Sequence, residues 1–134
     1  MIIITSDFKR ARESAEIASE ILGSRPILRK ELRERFFGDF EGKPNSHYED
    51  VWRDDANDPN HTNHNVESAN SVLDRTTKLI SEYNAYWQNL TFLLVSHGDA
   101  LQILQTGFHK VPASKHRSLP HLATAEVREL TLAT

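Results

Sequence analysis

The sequence contains no cysteine, which excludes disulfides and thiolate metal ligands and leaves the redox compartment undetermined. Long apolar runs are missing too: the longest extend over only a few residues, far short of a bilayer span. The opening Met-Ile-Ile-Ile-Thr-Ser-Asp has no basic region ahead of its apolar stretch and is too short for a signal peptide, so the cytoplasm is the expected location. Neither charge is in strong excess. A net charge of -3 offers no general attraction to nucleic acid or an anionic membrane, so an anion site has to be local. Internal repeats and low-complexity tracts are absent. What is present, 38% hydrophobic and 26% charged residues in 134, is the make-up of an ordinary globular chain, expected as a single domain over 1–134.

The most informative segment is Leu93-Leu94-Val95-Ser96-His97-Gly98. The run from Thr91 to Val95 reads as a buried strand of a parallel sheet, and ligands of such sheets bind beyond the carboxyl ends of the strands. Gly98 permits a tight turn there, and Asp99 to Gln105 reads as a helix. His97 is thereby placed beside free backbone N–H groups, a setting suited to an anion.

Elsewhere, Ile2 to Thr5 is a β-branched run that predicts a strand, with Ser6 or Asp7 capping the helix that follows. Phe8, Ala11, Ala15, Ala18 and Leu22 mark one apolar helical face, and Gly23 supplies the stop. Ile27-Leu28 reads as a short strand, and Leu32 to Gly42 as a loop with short helical turns. Pro44 opens a short helix reaching about Arg53. Asp54 to Asn65 is expected as a long surface loop. Glu67 to Gln88 is the longest helix, with Ala69, Val72, Leu73, Thr76, Leu79, Ile80, Tyr83 and Trp87 on one side. Phe108 to His121 reads as a second long loop, and Ala123 to Leu132 as the last strand. This order argues for an α/β fold with right-handed crossovers.

Three residues could carry chemistry. Arg10, in the first turn of the first helix and off its apolar stripe, can present a planar fork to a phosphate; the plainer reading is a solvated arginine. Glu34, between Arg33 and Arg35, is either a surface carboxylate or a general acid or base at a pocket. His97 is the strongest of the three. His61-Thr-Asn-His64 invites a metal, but the segment is turn-rich and a third ligand is not evident, so no metal is expected. His47, His109, His116 and His121 read as loop histidines, and Trp52, Trp87 and the tyrosines as packing residues.

Together these segments resemble the histidine phosphatase superfamily, the phosphoglycerate mutase-like proteins. Ser6-Asp7-Phe8-Lys9-Arg10-Ala11-Arg12-Glu13-Ser14-Ala15 resembles the family's Ser-Asp-Leu-x-Arg-Ala-x-x-Thr-Ala signature. Leu32-Arg33-Glu34 with Phe37-Gly38-Asp39-Phe40-Glu41-Gly42 resembles its Leu-Arg-Glu and Phe-Gly-x-Trp-Glu-Gly segments. Val66-Glu67-Ser68 stands where the family has Gly-Glu-Ser, and Ser96-His97-Gly98 matches its second-histidine motif. Order and spacing agree across nearly the whole chain. The resemblance implies a three-layer α/β/α sandwich with a mostly parallel sheet. It also implies Arg10, His97 and Gly98 as phosphate-binding, Glu34 as proton donor and acceptor, His97 as catalytic, no cofactor, and phosphate or a phosphorylated small molecule as ligand.

One motif of the family has no counterpart. The nucleophilic histidine of an Arg-His-Gly triplet forms the family's phosphohistidine, and no Arg-His-Gly occurs in these 134 residues; Lys115-His116-Arg117 differs in order and setting. The resemblance places the start of this chain at the family's second strand. The leading expectation is therefore a truncated phosphatase-like domain, impaired or inactive, that keeps part of a phosphate pocket. The alternatives are an active phosphatase with His97 or a partner chain supplying the nucleophile, a non-catalytic protein-interaction module, and a native protein that carries the missing strand upstream. A homodimer or a partner strand is expected to cover the sheet edge left open.

Overall fold

Four β-branched residues in succession, Ile2–Thr5, form β1, the geometry such side chains favour. The structure is a computed structural model that describes residues 1–86 and 89–131. β1 is the middle strand of a three-stranded parallel sheet ordered β2-β1-β3, where β2 is Ile27–Leu28 and β3 is Phe92–Val95. Ile4 pairs with Ile27, and Ile2 to Thr5 run in register with Phe92 to Val95. Helix α1 spans Lys9–Leu22, α2 Tyr48–Asn57, α3 Ala69–Tyr86 and α4 Gly98–His109, with short 3₁₀ turns between them. The fold is mixed α/β with a parallel sheet, as expected from the sequence.

The chain divides into two compact units, each built from two segments. The first unit comprises Met1–Glu34 and Arg75–His97. Its core is Ile4, Leu32 and Leu79, packed with Ile2, Tyr83, Phe92 and Leu94. Side chains alternate across a strand, so Ile2 and Ile4 meet α3 while the fully buried Ile3 points to the opposite face, where α1 lies. Only Ala11 and Ala15 of α1 are buried; Phe8 and Leu22, expected on the same face, are exposed. A helix of 14 residues overhangs a strand of four, so both ends of its stripe fall beyond the sheet. Gly23 ends α1 at φ 73°, its N–H bonded to Ser19 O.

The second unit comprises Arg35–Asp74 and the chain from Gly98 onward. It has two small cores: Ala69, Val72, Ala100, Ile103 and Ala113, and Phe37, Val51 and Val66. Several expectations are corrected here. Residues 54–65 are not one surface loop: α2 continues through Asn57, and Asp55 and His61 are buried. A 3₁₀ turn, Ala113–Ser118, occupies the predicted loop at 108–121, with His116 fully buried. Residues 123–131 form no strand. Arg128 there donates to Gln105 Oε1, Pro120 O and His121 O, which holds the segment in an irregular path. α3 begins at Ala69 rather than Glu67, and Trp87, Gln88 and Leu132 lie outside the described residues.

Gly38 is a position where no side chain fits. It sits at φ 54°, and a Cβ there would lie 2.3 Å from the main-chain carbon of Asn65. Gly38→Ala is expected to cost roughly 2–4 kcal/mol, left-handed strain plus overpacking. Gly23→Ala, also left-handed but open to solvent, should cost only about 1–2 kcal/mol. Urea unfolding of both variants checks this; equal losses would mean that the contact with Asn65 carries no weight.

Candidate functional site

His97 stands two residues beyond the end of β3 and is half-buried. Its Nε2 lies 2.9 Å from Ser6 Oγ, which belongs to the residue after β1; the two neighbouring strand ends thus meet through a side-chain hydrogen bond. Ser6 Oγ also accepts the Phe8 N–H at 3.2 Å. Phe8 occupies the N-cap position and makes no side-chain cap bond, so Ser6 acts from two residues ahead of the N-cap rather than as the cap itself. Asp7, the other expected cap, gives its carboxylate to Arg33 through two bonds of 2.7 and 2.6 Å. The Phe8 ring lies edge-on to His97 at 5.5 Å and under the Arg33 guanidinium at 5.0 Å.

Burial disfavours the charged form of His97, and the nearby cations Arg10 and Arg75 disfavour it further, against a smaller opposing pull from Asp7. The imidazole pKa is held below its ordinary 6.5, so the ring is neutral at pH 7. The unfolded chain binds this proton more readily, so stability drawn from a neutral His97 is full above pH 6.5 and falls as pH drops below it. A histidine titration followed by NMR should give His97 a midpoint under 6.5 in the free protein. A midpoint above 6.5 would contradict the electrostatic picture.

Arg10 lies in the first turn of α1, exposed to solvent, and close enough for its charge to act on His97. Glu34 closes a turn, residues 29–34, that is pinned from several sides. Arg29 N–H donates to Thr5 O, Leu32 is fully buried, and Ser96 Oγ donates to Leu32 O at 2.6 Å. Arg75 of α3 donates to the carbonyls of Glu31, Arg33 and Glu34 at 2.6, 2.9 and 3.3 Å. Arg10, Glu34 and His97 therefore belong to the same compact unit. Gly98 belongs to the other, as the first residue of α4. Its φ is not left-handed and a Cβ would meet nothing within 4 Å. Only Ser96 and His97 separate the end of β3 from the start of α4.

The second unit holds a buried charge cluster. Asp55 Oδ1 accepts from Arg35 and from His61 Nε2, both at 2.7 Å; its Oδ2 accepts from Arg35 at 2.7 Å and from His116 Nε2 at 2.8 Å. His61 Nδ1 accepts the Asn63 N–H at 3.2 Å, which leaves the ring hydrogen on Nε2. Arg35 also reaches Asp99 and Glu67 O. Asp99 in turn accepts from the Trp52 indole at 2.9 Å, and Arg117 lies over the Trp52 ring at 3.7 Å. His116 is therefore no loop histidine. His61 and His64 do not converge: the His64 ring lies against Phe40. Among the described residues no group of three or more His, Cys, Asp or Glu could hold a metal ion, and no helix is long and apolar enough to cross a membrane.

Ser6, Ser96 and Arg75 are not among the candidate residues expected from sequence. Arg75 carried a readable signal. It stands three residues after Val72 and four before Leu79, an inward position on a helix whose neighbours are apolar.

The family model for the histidine phosphatase superfamily (branch 1) matches residues 1–134. The Bacillus subtilis (strain 168) protein named uncharacterized phosphatase PhoE is 31% identical over 105 residues, 78% of this chain and 51% of that protein. Bacillus stearothermophilus YhfR superposes with a TM-score of 0.74 at 28% identity, over 90% of this chain and 62% of its own. A mycobacterial glucosyl-3-phosphoglycerate phosphatase, in complex with inorganic phosphate, gives 0.77 at 24% identity over 91% and 65%, a likeness of fold. The chain spans about half the length of the curated relative it matches.

Proposed function

The chain belongs to the histidine phosphatase superfamily, branch 1, and on that premise we propose that Arg10, Glu34 and His97 form part of a phosphate pocket. The pocket binds phosphate or a small phosphomonoester and turns it over poorly or not at all. The observation that carries this reading is His97 itself: half-buried at a strand end, tethered to Ser6, and within the field of Arg10 and Arg75. Phosphoryl transfer is served mainly by positioned cations and N–H donors. In the reading, Arg10 binds the phosphoryl oxygens, His97 stabilises their charge, and Glu34 gives and takes the proton of the ester oxygen. The setting proposed is the cytoplasm.

Impaired turnover follows from the triplet that these residues do not contain, since loss of a nucleophile costs on the order of 10⁶ in rate. Hydrolysis of a generic aryl phosphate, measured beside His97→Ala, tests the reading. Background rates in both are expected. Activity above background that disappears in His97→Ala would overturn the impairment.

The open edge of β3 favours a second reading. Among the described residues β3 pairs with β1 alone, and its four apolar residues are only half-buried. A strand from a second copy or another chain laid along that edge would complete the ladder, and a different chain could also bring a nucleophilic histidine beside His97. A strictly monomeric protein at high concentration would count against this reading.

A further inference from the structure

The turn carrying Glu34 has four successive carbonyls, those of Glu31, Leu32, Arg33 and Glu34, and each accepts a hydrogen bond from a side chain outside the turn. Ser96 takes that of Leu32, and one guanidinium takes the other three. We propose that Arg75 is a positioning residue of the phosphate site, its planar fork fixing the Glu34 turn through the carbonyls of Glu31, Arg33 and Glu34. The inference rests on the reading of Arg10, Glu34 and His97 given above and extends it to a residue that sits on none of the motifs.

Three features carry it. Arg75 is half-buried on α3, between Val72 and Leu79, both of which are buried; an arginine there needs internal acceptors for its donors. The main chain of an irregular turn supplies those acceptors, and a guanidinium is the side chain whose rigid geometry spans several of them. The same cation acts on His97, so a single residue ties the turn of the expected acid–base group to the expected phosphate-stabilising imidazole. Leu32, Arg29 and Ser96 fix the turn at other points. Removing Arg75 therefore loosens residues 33 and 34 more than it endangers the fold.

The test compares wild type, Arg75→Met and Arg75→Lys by three readouts: inorganic phosphate affinity, the His97 titration midpoint, and amide exchange at residues 32–34. Arg75→Met removes both fork and charge. It should raise the His97 midpoint, speed exchange in the turn, and weaken phosphate binding on the order of tenfold, less than the roughly hundredfold that a misplaced reacting group costs. Arg75→Lys keeps the charge without the fork. Its His97 midpoint should stay near that of wild type, while exchange in the turn still quickens. Faster exchange in Arg75→Met with unchanged phosphate affinity and an unchanged His97 midpoint would make Arg75 a mere strut and overturn the proposal. If Arg75→Met fails to fold, Arg75→Lys decides: phosphate affinity and turn exchange both equal to wild type overturn it. Wild type without phosphate affinity would instead sink the phosphate reading, and the His97 midpoints would still judge the link from Arg75 to His97.

Discussion

Asp55→Asn is expected to destabilise the protein by about 3–5 kcal/mol, the range for removing one partner of a buried ion pair. The side chains of Arg35 and Asp55 are both fully buried. Each carboxylate oxygen accepts one Arg35 nitrogen and one imidazole Nε2. An asparagine keeps one oxygen but turns an NH₂ group towards two donors, whichever way its amide is flipped. Arg35 would lose one of its two hydrogen bonds to residue 55 and keep those to Asp99 and Glu67 O. Burial on its own would raise the Asp55 pKa, but the hydrogen bonds from Arg35, His116 and His61 and the Arg35 charge outweigh it, and the carboxyl is held well below the usual range. Its folded pKa lies under its unfolded one, so this contribution is complete above about pH 4 and is lost as acid is added below that. Urea unfolding followed by tryptophan fluorescence at pH 7 measures the substitution. A loss under about 1 kcal/mol would mean that the cluster contributes little beyond its shape.

The second large effect concerns turnover. The 134-residue chain is expected to hydrolyse an aryl phosphate roughly 10⁶-fold more slowly than a family member carrying the Arg-His-Gly nucleophile, equivalent to about 8 kcal/mol of barrier. The groups of a covalent catalytic unit act together, so their losses do not add. Once the nucleophile is gone, Glu34→Gln and His97→Ala should lower what rate remains only slightly, although His97→Ala still weakens phosphate binding. Steady-state kinetics with a trapping step for phosphohistidine checks both statements. An acid-labile phosphoryl group on His97, with turnover that depends on it, would contradict them.

How much of this was legible in the sequence depended on whether a residue announced itself through period or neighbours. Ile2 to Thr5 was readable as a strand from its β-branched run, and the run ending at Val95 as a strand of a parallel sheet from its unbroken apolar character. The αL stop at Gly23 was readable from its place after Leu22. Residues 54–65 were misread because Asn, Asp and His are polar wherever they occur, and composition does not say that Asp55 faces an arginine 20 residues away. Arg35 and His116 were hidden for the same reason: a buried charge is defined by a partner distant in sequence. At the site, the motifs pointed to Arg10, Glu34 and His97. Ser6 and Ser96 stood inside those motifs, yet their partners at His97 and Leu32 depend on which strand ends the sheet makes neighbours.

Titration with inorganic phosphate of wild type, Arg10→Ala and His97→Ala tests the central claim most directly. Calorimetry gives the affinities, and circular dichroism verifies that each variant is folded. The account predicts saturable binding by wild type and a loss of roughly tenfold or more in each variant, the effect of removing one charge-assisted hydrogen bond. No saturable binding, or the same affinity in all three proteins, would contradict it.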